Sequence, residues 1–132
     1  MGKKILVVDD EPDFLRMIKM RLEAKGYDVV TATNGKEALE NFKSEKPDAV
    51  LLDIMMPGID GLQVLRKIRR HDKDLPVFII TAFSSEERIK LATKMNASGF
   101  IIKTGDLQEE IERVFTASRM ADRFRATRTR RK

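Results

Sequence analysis

At 132 residues, 42% hydrophobic and 36% charged, the chain amounts to one ordinary water-soluble domain, long enough to bury a core and too short for a second domain. The absence of cysteine excludes a disulfide framework and a thiolate metal site, and a single histidine excludes a multi-histidine one. The net charge of +5 hints at nucleic acid until it is divided: seven basic residues and one acid, Asp122, follow Thr116, whereas residues 1–115 carry 19 basic and 20 acidic side chains.

The basic start Met1-Gly2-Lys3-Lys4 is followed by Ile5-Leu6-Val7-Val8, but this apolar run stops at Asp9-Asp10-Glu11, too soon for a signal-peptide core. Leu6 occupies the position where a myristoylation signal needs Ser or Thr, and nothing approaches a membrane span. The expected location is the cytoplasm.

Ile5 to Val8 predicts a short strand closed by two carboxylates, and Pro12 suits the first turn of the helix that follows. That helix sets Phe14, Leu15, Ile18 and Leu22 on one face, with Gly26 to end it. Asp28 to Ala32 reads as a second strand, Asn34-Gly35 as a turn or cap, and Ala38, Leu39 and Phe42 as one face of a short helix. After Pro47 comes Val50-Leu51-Leu52-Asp53-Ile54-Met55-Met56-Pro57-Gly58, an apolar run with Asp53 at its tip and a forced turn beyond. A strand this uniformly apolar is covered on both faces, as in a parallel sheet.

Asp60 can cap the next helix, which turns Val64, Leu65 and Ile68 inward. Pro76 to Thr81 is a fourth strand, ending on a hydroxyl. Ser84-Ser85-Glu86-Glu87 fits a capping box, and Ile89, Leu91, Ala92 and Met95 give its helix a mixed apolar face. Gly99 to Ile102 is a short fifth strand that ends on Lys103. Asp106 and Glu109 begin a last helix with the stripe Leu107, Ile111, Val114 and Phe115. Met17, Met20 and Met95 read as packing, and His71 as a solvated helix-end residue without a role.

Strands alternating with helices at this spacing imply a parallel sheet with right-handed crossovers and helices on both faces. Such a sheet gathers ligands beyond the carboxyl ends of its strands. Asp9 and Asp10 end strand one, Asp53 strand three, Thr81 strand four and Lys103 strand five. Carboxylates about 4 Å apart repel by roughly 4 kcal/mol at an effective dielectric near 20, so the cluster needs a cation. Oxygen donors with room for water and phosphate suit Mg²⁺ better than Ca²⁺. Thr81 and Lys103 suit phosphate oxygens.

Over residues 3 to about 118 the sequence resembles the receiver domain of two-component response regulators, particularly single-domain, chemotaxis-type members. The resemblance is carried by Val7-Val8-Asp9-Asp10-Glu11, Leu51-Leu52-Asp53-Ile54-Met55-Met56-Pro57-Gly58-Ile59-Asp60-Gly61, Thr81-Ala82 and Lys103. It implies a flavodoxin-like (βα)5 three-layer sandwich with strand order 2-1-3-4-5. It further implies that Asp53 accepts a phosphoryl group from a histidine kinase or phosphotransfer protein. Asp10, Asp53 and the backbone carbonyl of Met55 would ligate Mg²⁺, with Asp9 acting partly through water. Thr81, the Ala82 amide and Lys103 would hold the phosphoryl oxygens, and Thr81 and Phe100 would form the switch read by a partner on the face of helix four, strand five and helix five. Monomer and phosphorylation-dependent dimer both remain open.

Two departures stand out. The family's lysine is usually followed by a cis proline, whereas Thr104-Gly105 follows Lys103, which leads us to expect a trans bond, or else a strained cis one that needs support. Met55 and Phe83 place bulky apolar groups where the family flanks the phosphoryl group, an arrangement expected to hinder attacking water and lengthen the aspartyl phosphate's lifetime. The expected layout is a receiver at 1–118 and an Arg-rich tail at 119–132 that extends helix five or is disordered. With Phe124 as its one aromatic, the tail offers electrostatic attraction to nucleic acid or an acidic partner without evident readout. A non-phosphorylated pseudo-receiver is the alternative. A haloacid-dehalogenase-type phosphatase would need Asp-x-Asp on one strand, which Asp9-Asp10-Glu11-Pro12 does not supply.

Overall fold

Every residue of β3 (Ala49–Asp53) and of β4 (Val77–Thr81) is buried, as uniformly apolar runs require. The computed structural model describes residues 3–56, 60–81, 86–103 and 109. Around these two strands stand β1 (Lys4–Val8), β2 (Asp28–Ala32) and β5 (Gly99–Ile102), with α1 (Pro12–Ala24), α2 (Gly35–Glu45), α3 (Gly61–His71) and α4 (Glu86–Lys94) between them. All strands are parallel, in the order β2-β1-β3-β4-β5. The chain adopts the flavodoxin-like α/β sandwich expected from its sequence.

Side chains alternate across each strand, and both faces are covered. Leu6, Val8, Val50, Leu52 and Ile79 point to the side where Ala38 of α2, Val64, Leu65 and Ile68 of α3 and Ala92 of α4 pack. Ile5, Val7, Leu51, Phe78 and Ile80 point the other way, against Leu15, Ile18 and Leu22 of α1. Fully burying each such side chain stabilises the fold by about 1.5–3 kcal/mol before entropy is counted. β2 is an edge strand, and its Val29, Val30 and Thr31 are only half-buried.

Local signals place the helix ends. Pro12 opens α1 and Gly26, at φ +97°, follows its end in a conformation that glycine adopts without strain. At α2 the Asn34 side chain accepts from the Glu37 amide at 2.9 Å while Glu37 accepts from the Thr33 amide at 2.9 Å, a reciprocal cap. Asp60 caps α3 by accepting from the Leu62 amide at 2.9 Å.

Two expectations are corrected. Ile89 and Leu91 of α4 are 37% and 42% exposed, because the inward line of this helix runs through Arg88, Ala92 and Met95 instead. Met20 is 71% exposed, since α1 buries the opposite stripe. Met17 is half-buried and Met95 packs on the core. His71 is an exposed helix-end residue with its ring 6.2 Å from that of Phe42. The Pro57-Gly58-Ile59 turn, Ala82, Phe83, the Ser84-Ser85 start of the capping box and the Lys103–Thr104 peptide lie outside the described residues. So do the Asp106 cap, the stripe Leu107, Ile111, Val114 and Phe115, and the tail.

Candidate functional site

Strand register brings the tips together. Val8 is level with Leu52, Asp53 with Ile80 and Thr81 with Ile102, so the residues after β1, at the end of β3 and β4 and after β5 share one edge. The Lys103 amide donates to the Thr81 carbonyl at 3.1 Å and fixes where the lysine leaves β5. Gly61 sets the floor of α3 against this edge: a Cβ there would stand 2.4 Å from the Asp53 carbonyl oxygen and 2.5 Å from the Ile54 Cα. Only glycine lets α3 begin so close to the acidic tip.

Asp9 is fully buried and Asp53 is 3% exposed. Each has one oxygen occupied by its own loop, Asp9 Oδ1 accepting from the Glu11 amide at 2.9 Å and Asp53 Oδ1 from the Met55 amide at 2.8 Å. The remaining oxygens face Lys103, whose Nζ lies 2.5 Å from Asp9 Oδ2, 2.6 Å from Glu11 Oε1 and 3.4 Å from Asp53 Oδ2. The same ammonium stands 4.8 Å from the centre of the Phe14 ring, a cation–π distance.

Burial raises the Asp9 carboxyl above the ordinary carboxylate range, an effect opposed by Lys103 and the Glu11 amide and assisted by the charge of Asp53. Burial would lower the Lys103 ammonium, but its contacts with Asp9 and Glu11 and the charges of Asp9 and Asp53 prevail and hold it above the usual lysine range. Lys103 is therefore a charged group clamped by acids at neutral pH.

The acidic set fits a hard divalent cation. Asp9, Asp10 and Asp53 each offer an oxygen, and these lie within 4.8 Å of one another. Asp9 Oδ2 is buried and in ion-pair contact with Lys103, yet receives no directed hydrogen bond. At that spacing each carboxylate pair repels by roughly 3–4 kcal/mol at an effective dielectric near 20, and three carboxylates beside one ammonium leave a net negative charge for a cation to neutralise. An all-oxygen donor set of this charge matches Mg²⁺.

A model described as the response regulator receiver domain matches residues 5–115. The chain belongs to the response regulator receiver family. It is 39% identical over 114 residues to the alkaline phosphatase synthesis transcriptional regulatory protein PhoP of Bacillus subtilis, covering 86% of this chain and 48% of that one. The receiver thus spans about half the length of that curated relative. Among solved structures it is similar to response regulator protein TrrA of Thermotoga maritima, crystallised in complex with Mg(2+)-BeF, at 42% identity and TM-score 0.78 over 87% of this chain and 98% of that one. It is also similar to a CheY-like receiver domain protein of Methanospirillum hungatei, at 25% identity and TM-score 0.88 over 93% and 98% of the two chains. Phosphorylation-based signalling is generic to this family.

Of the residues expected from the sequence, the receiver brings Asp9, Asp10, Asp53 and Lys103 into one cluster, with Thr81 buried beside them at the end of β4. Met55 stands at the rim, 46% exposed. Phe100 is half-buried and packs on the α3–α4 side of the sheet, away from the acidic cluster's Lys103 contacts.

Two participants were missed. Glu11, part of the strand-one acidic motif, holds Lys103 at 2.6 Å while remaining largely exposed. Arg88 lies among the apolar residues of α4, yet its Nη2 donates to the Ile54 carbonyl at 2.7 Å and to Asp60 Oδ1 at 2.5 Å, tying α4 to the segment that follows Asp53. The sequence signal for it is a basic residue at helical spacing, four before Ala92.

Proposed function

We propose that this receiver accepts a phosphoryl group on Asp53 from the phosphohistidine of a sensor histidine kinase or phosphotransfer protein, in a Mg²⁺-dependent reaction. The observation that carries this reading is the convergence of Lys103 Nζ on Asp9 and Asp53, at 2.5 and 3.4 Å, beside a third carboxylate. Asp10, Asp53 and the Met55 carbonyl are assigned to the metal, with Asp9 acting partly through water. When bound, Mg²⁺ supplies charge neutralisation for the phosphoryl oxygens and the acceptor.

Asp53 Oδ2 is the acceptor oxygen, since Oδ1 is occupied by the Met55 amide. The new O–P bond forms in line as the P–N bond of phosphohistidine breaks, and the imidazole nitrogen leaves with the electron pair. The protein contributes position and charge rather than proton transfer. Lys103 exchanges a carboxylate partner for a phosphoryl oxygen, and Thr81 and the Ala82 amide hold the others. Burial of Thr81 and half-burial of Phe100 support their pairing as the switch, which alters the face of α4, β5 and the following helix.

The receiver works as a phosphoacceptor in signalling, catalysing only its own phosphorylation and dephosphorylation. We assign residues 1–118 to the receiver unit and 119–132 to a basic tail, acting as a phosphorylation switch in the cytoplasm. The half-exposed Met55 supports a role in shielding the aspartyl phosphate from water. The alternative, a pseudo-receiver that binds nucleic acid or an acidic partner through its tail, rests on the proline missing after Lys103.

Intact mass after incubation with a small-molecule phosphodonor, with and without Mg²⁺, separates the two. A Mg²⁺-dependent phosphoryl adduct absent from Asp53→Asn is expected. No adduct under any condition would overturn this reading and move the pseudo-receiver to first place.

A further inference from the structure

Right-handed crossovers send each helix back against the direction of its strands, so the C-terminal halves of α3 and α4 lie toward the edge opposite the acidic tips. Between them runs an open groove of about 740 Å³. Its rims carry Arg66, Arg70, Lys73 and Lys94, and Leu91 and Met95, one helical turn apart, form an apolar strip on the α4 wall. Helix α3 has four basic residues and no acid, although residues 1–115 as a whole are close to charge balance.

A fifth cation has a structural task. The Arg69 guanidinium donates to the carbonyls of Met95, Asp72, Leu75 and Asn96 at 2.7–3.1 Å, stapling the ends of both helices and satisfying carbonyls that the helices leave open. The groove is thus held at fixed width. By contrast, Arg66, Arg70, Lys73 and Lys94 make no ion pair among the described residues. Unneutralised cations flanking exposed Leu91, 42% accessible, are a combination that folding alone does not require.

We propose that the α3–α4 groove docks an acidic amphipathic helix of a partner protein. The helix would lay leucine-type side chains on Leu91 and Met95 and present carboxylates to the four cations, the helix-in-groove mode of recognition. Nucleic acid fits less well: among the described residues no aromatic side chain lines the groove for base stacking, and a phosphate backbone gains nothing from the apolar strip. Docking here leaves the acidic tips accessible.

The test is nitrogen-15 NMR titration of the full chain with a peptide of about 18 residues, five helical turns, carrying leucine at helical spacing and glutamate elsewhere. A peptide of the same composition in scrambled order and a duplex DNA oligonucleotide serve as comparisons. Shifts are expected at Arg66, Arg70, Lys73, Leu91, Lys94 and Met95. Affinity should fall about tenfold or more in R70E/K94E and about threefold or more in L91S, and the scrambled peptide should bind more weakly than the ordered one.

These substitutions are on the surface, and an unchanged circular dichroism spectrum confirms the fold. Shifts confined to the tail or to the acidic tips overturn the proposal, as does equal binding of the scrambled peptide. Tighter binding of DNA at the groove would replace it with a nucleic-acid site.

Discussion

Lys103 and Asp9 meet at 2.5 Å although their strands, β5 and β1, are separated in the sheet by β3 and β4. The lysine therefore reaches across the tip of β3, where Asp53 sits, and closes over its carboxylate. Removing one partner of a buried ion pair leaves an uncompensated charge, at a cost of about 3–5 kcal/mol. Lys103→Ala should lower metal-free stability by about 3 kcal/mol in urea unfolding, and Mg²⁺ should restore part of the loss by neutralising the same carboxylates.

The lysine also sets a pH dependence. Its folded-state pKa lies above the unfolded value of 10.5, so its contribution is complete below pH 10.5 and is lost as the pH rises through the folded value. In metal-free buffer, wild-type stability should therefore hold up to about pH 10.5 and fall as the pH rises beyond it, while Lys103→Met loses this component of the decline. Parallel slopes for the two proteins would contradict the clamp.

Metal binding should be visible without any phosphodonor. At ten times its dissociation constant, Mg²⁺ should stabilise the folded chain by about 1.4 kcal/mol, and Asp10→Asn or Asp53→Asn should reduce that gain. Thermal unfolding with and without Mg²⁺ checks this. The same Asp53→Asn protein should be slightly more stable than wild type without metal, because one of three mutually repelling charges is gone.

Arg88 links α4 to the segment beyond Asp53 through Ile54 and Asp60. Arg88→Ala leaves the Ile54 carbonyl without that donor and should cost about 1–2 kcal/mol. Faster hydrogen exchange at Met55 and a slower rate of phosphoryl uptake should accompany it. Arg88→Lys keeps donors and charge but lacks the planar guanidinium's reach to both oxygens, and should recover only part.

Gly61→Ala places a methyl group 2.4 Å from the Asp53 carbonyl oxygen, with backbone rather than a yielding side chain in the way. The cost should be about 1–3 kcal/mol, read as a lowered urea midpoint. Phosphoryl uptake should fall as well, since relief of the clash displaces the acceptor strand's end.

The sheet and the acidic cluster were legible because both depend on period and position alone. Val50 to Leu52 is apolar at every position, which means cover on both faces, and a carboxylate at the end of such a strand lies at the ligand edge whatever the helices do. Contacts between distant elements were not legible in this way. Nothing near Glu11 in the sequence points to Lys103, 92 residues away, because their meeting depends on strand order. The rotation of α4 was misread for a related reason: its apolar residues favour Ile89 and Leu91 facing inward, but Arg88 gains two oxygen acceptors by taking that line. Met20 failed more simply, as an apolar residue on the solvent side of a helix whose other stripe already filled the space.

The exposed carboxylate of Glu11 gives the resting site a threshold. Any anion drifting into the cleft must displace a carboxylate already 2.6 Å from the ammonium, and a dilute, freely diffusing ion gains too little to do so. In the function proposed above, a phosphoryl group delivered to Asp53 would be held covalently and would carry more charge than the carboxylate it displaces. The clasp would then discriminate between a passing ion and a delivered signal, before any change of shape begins.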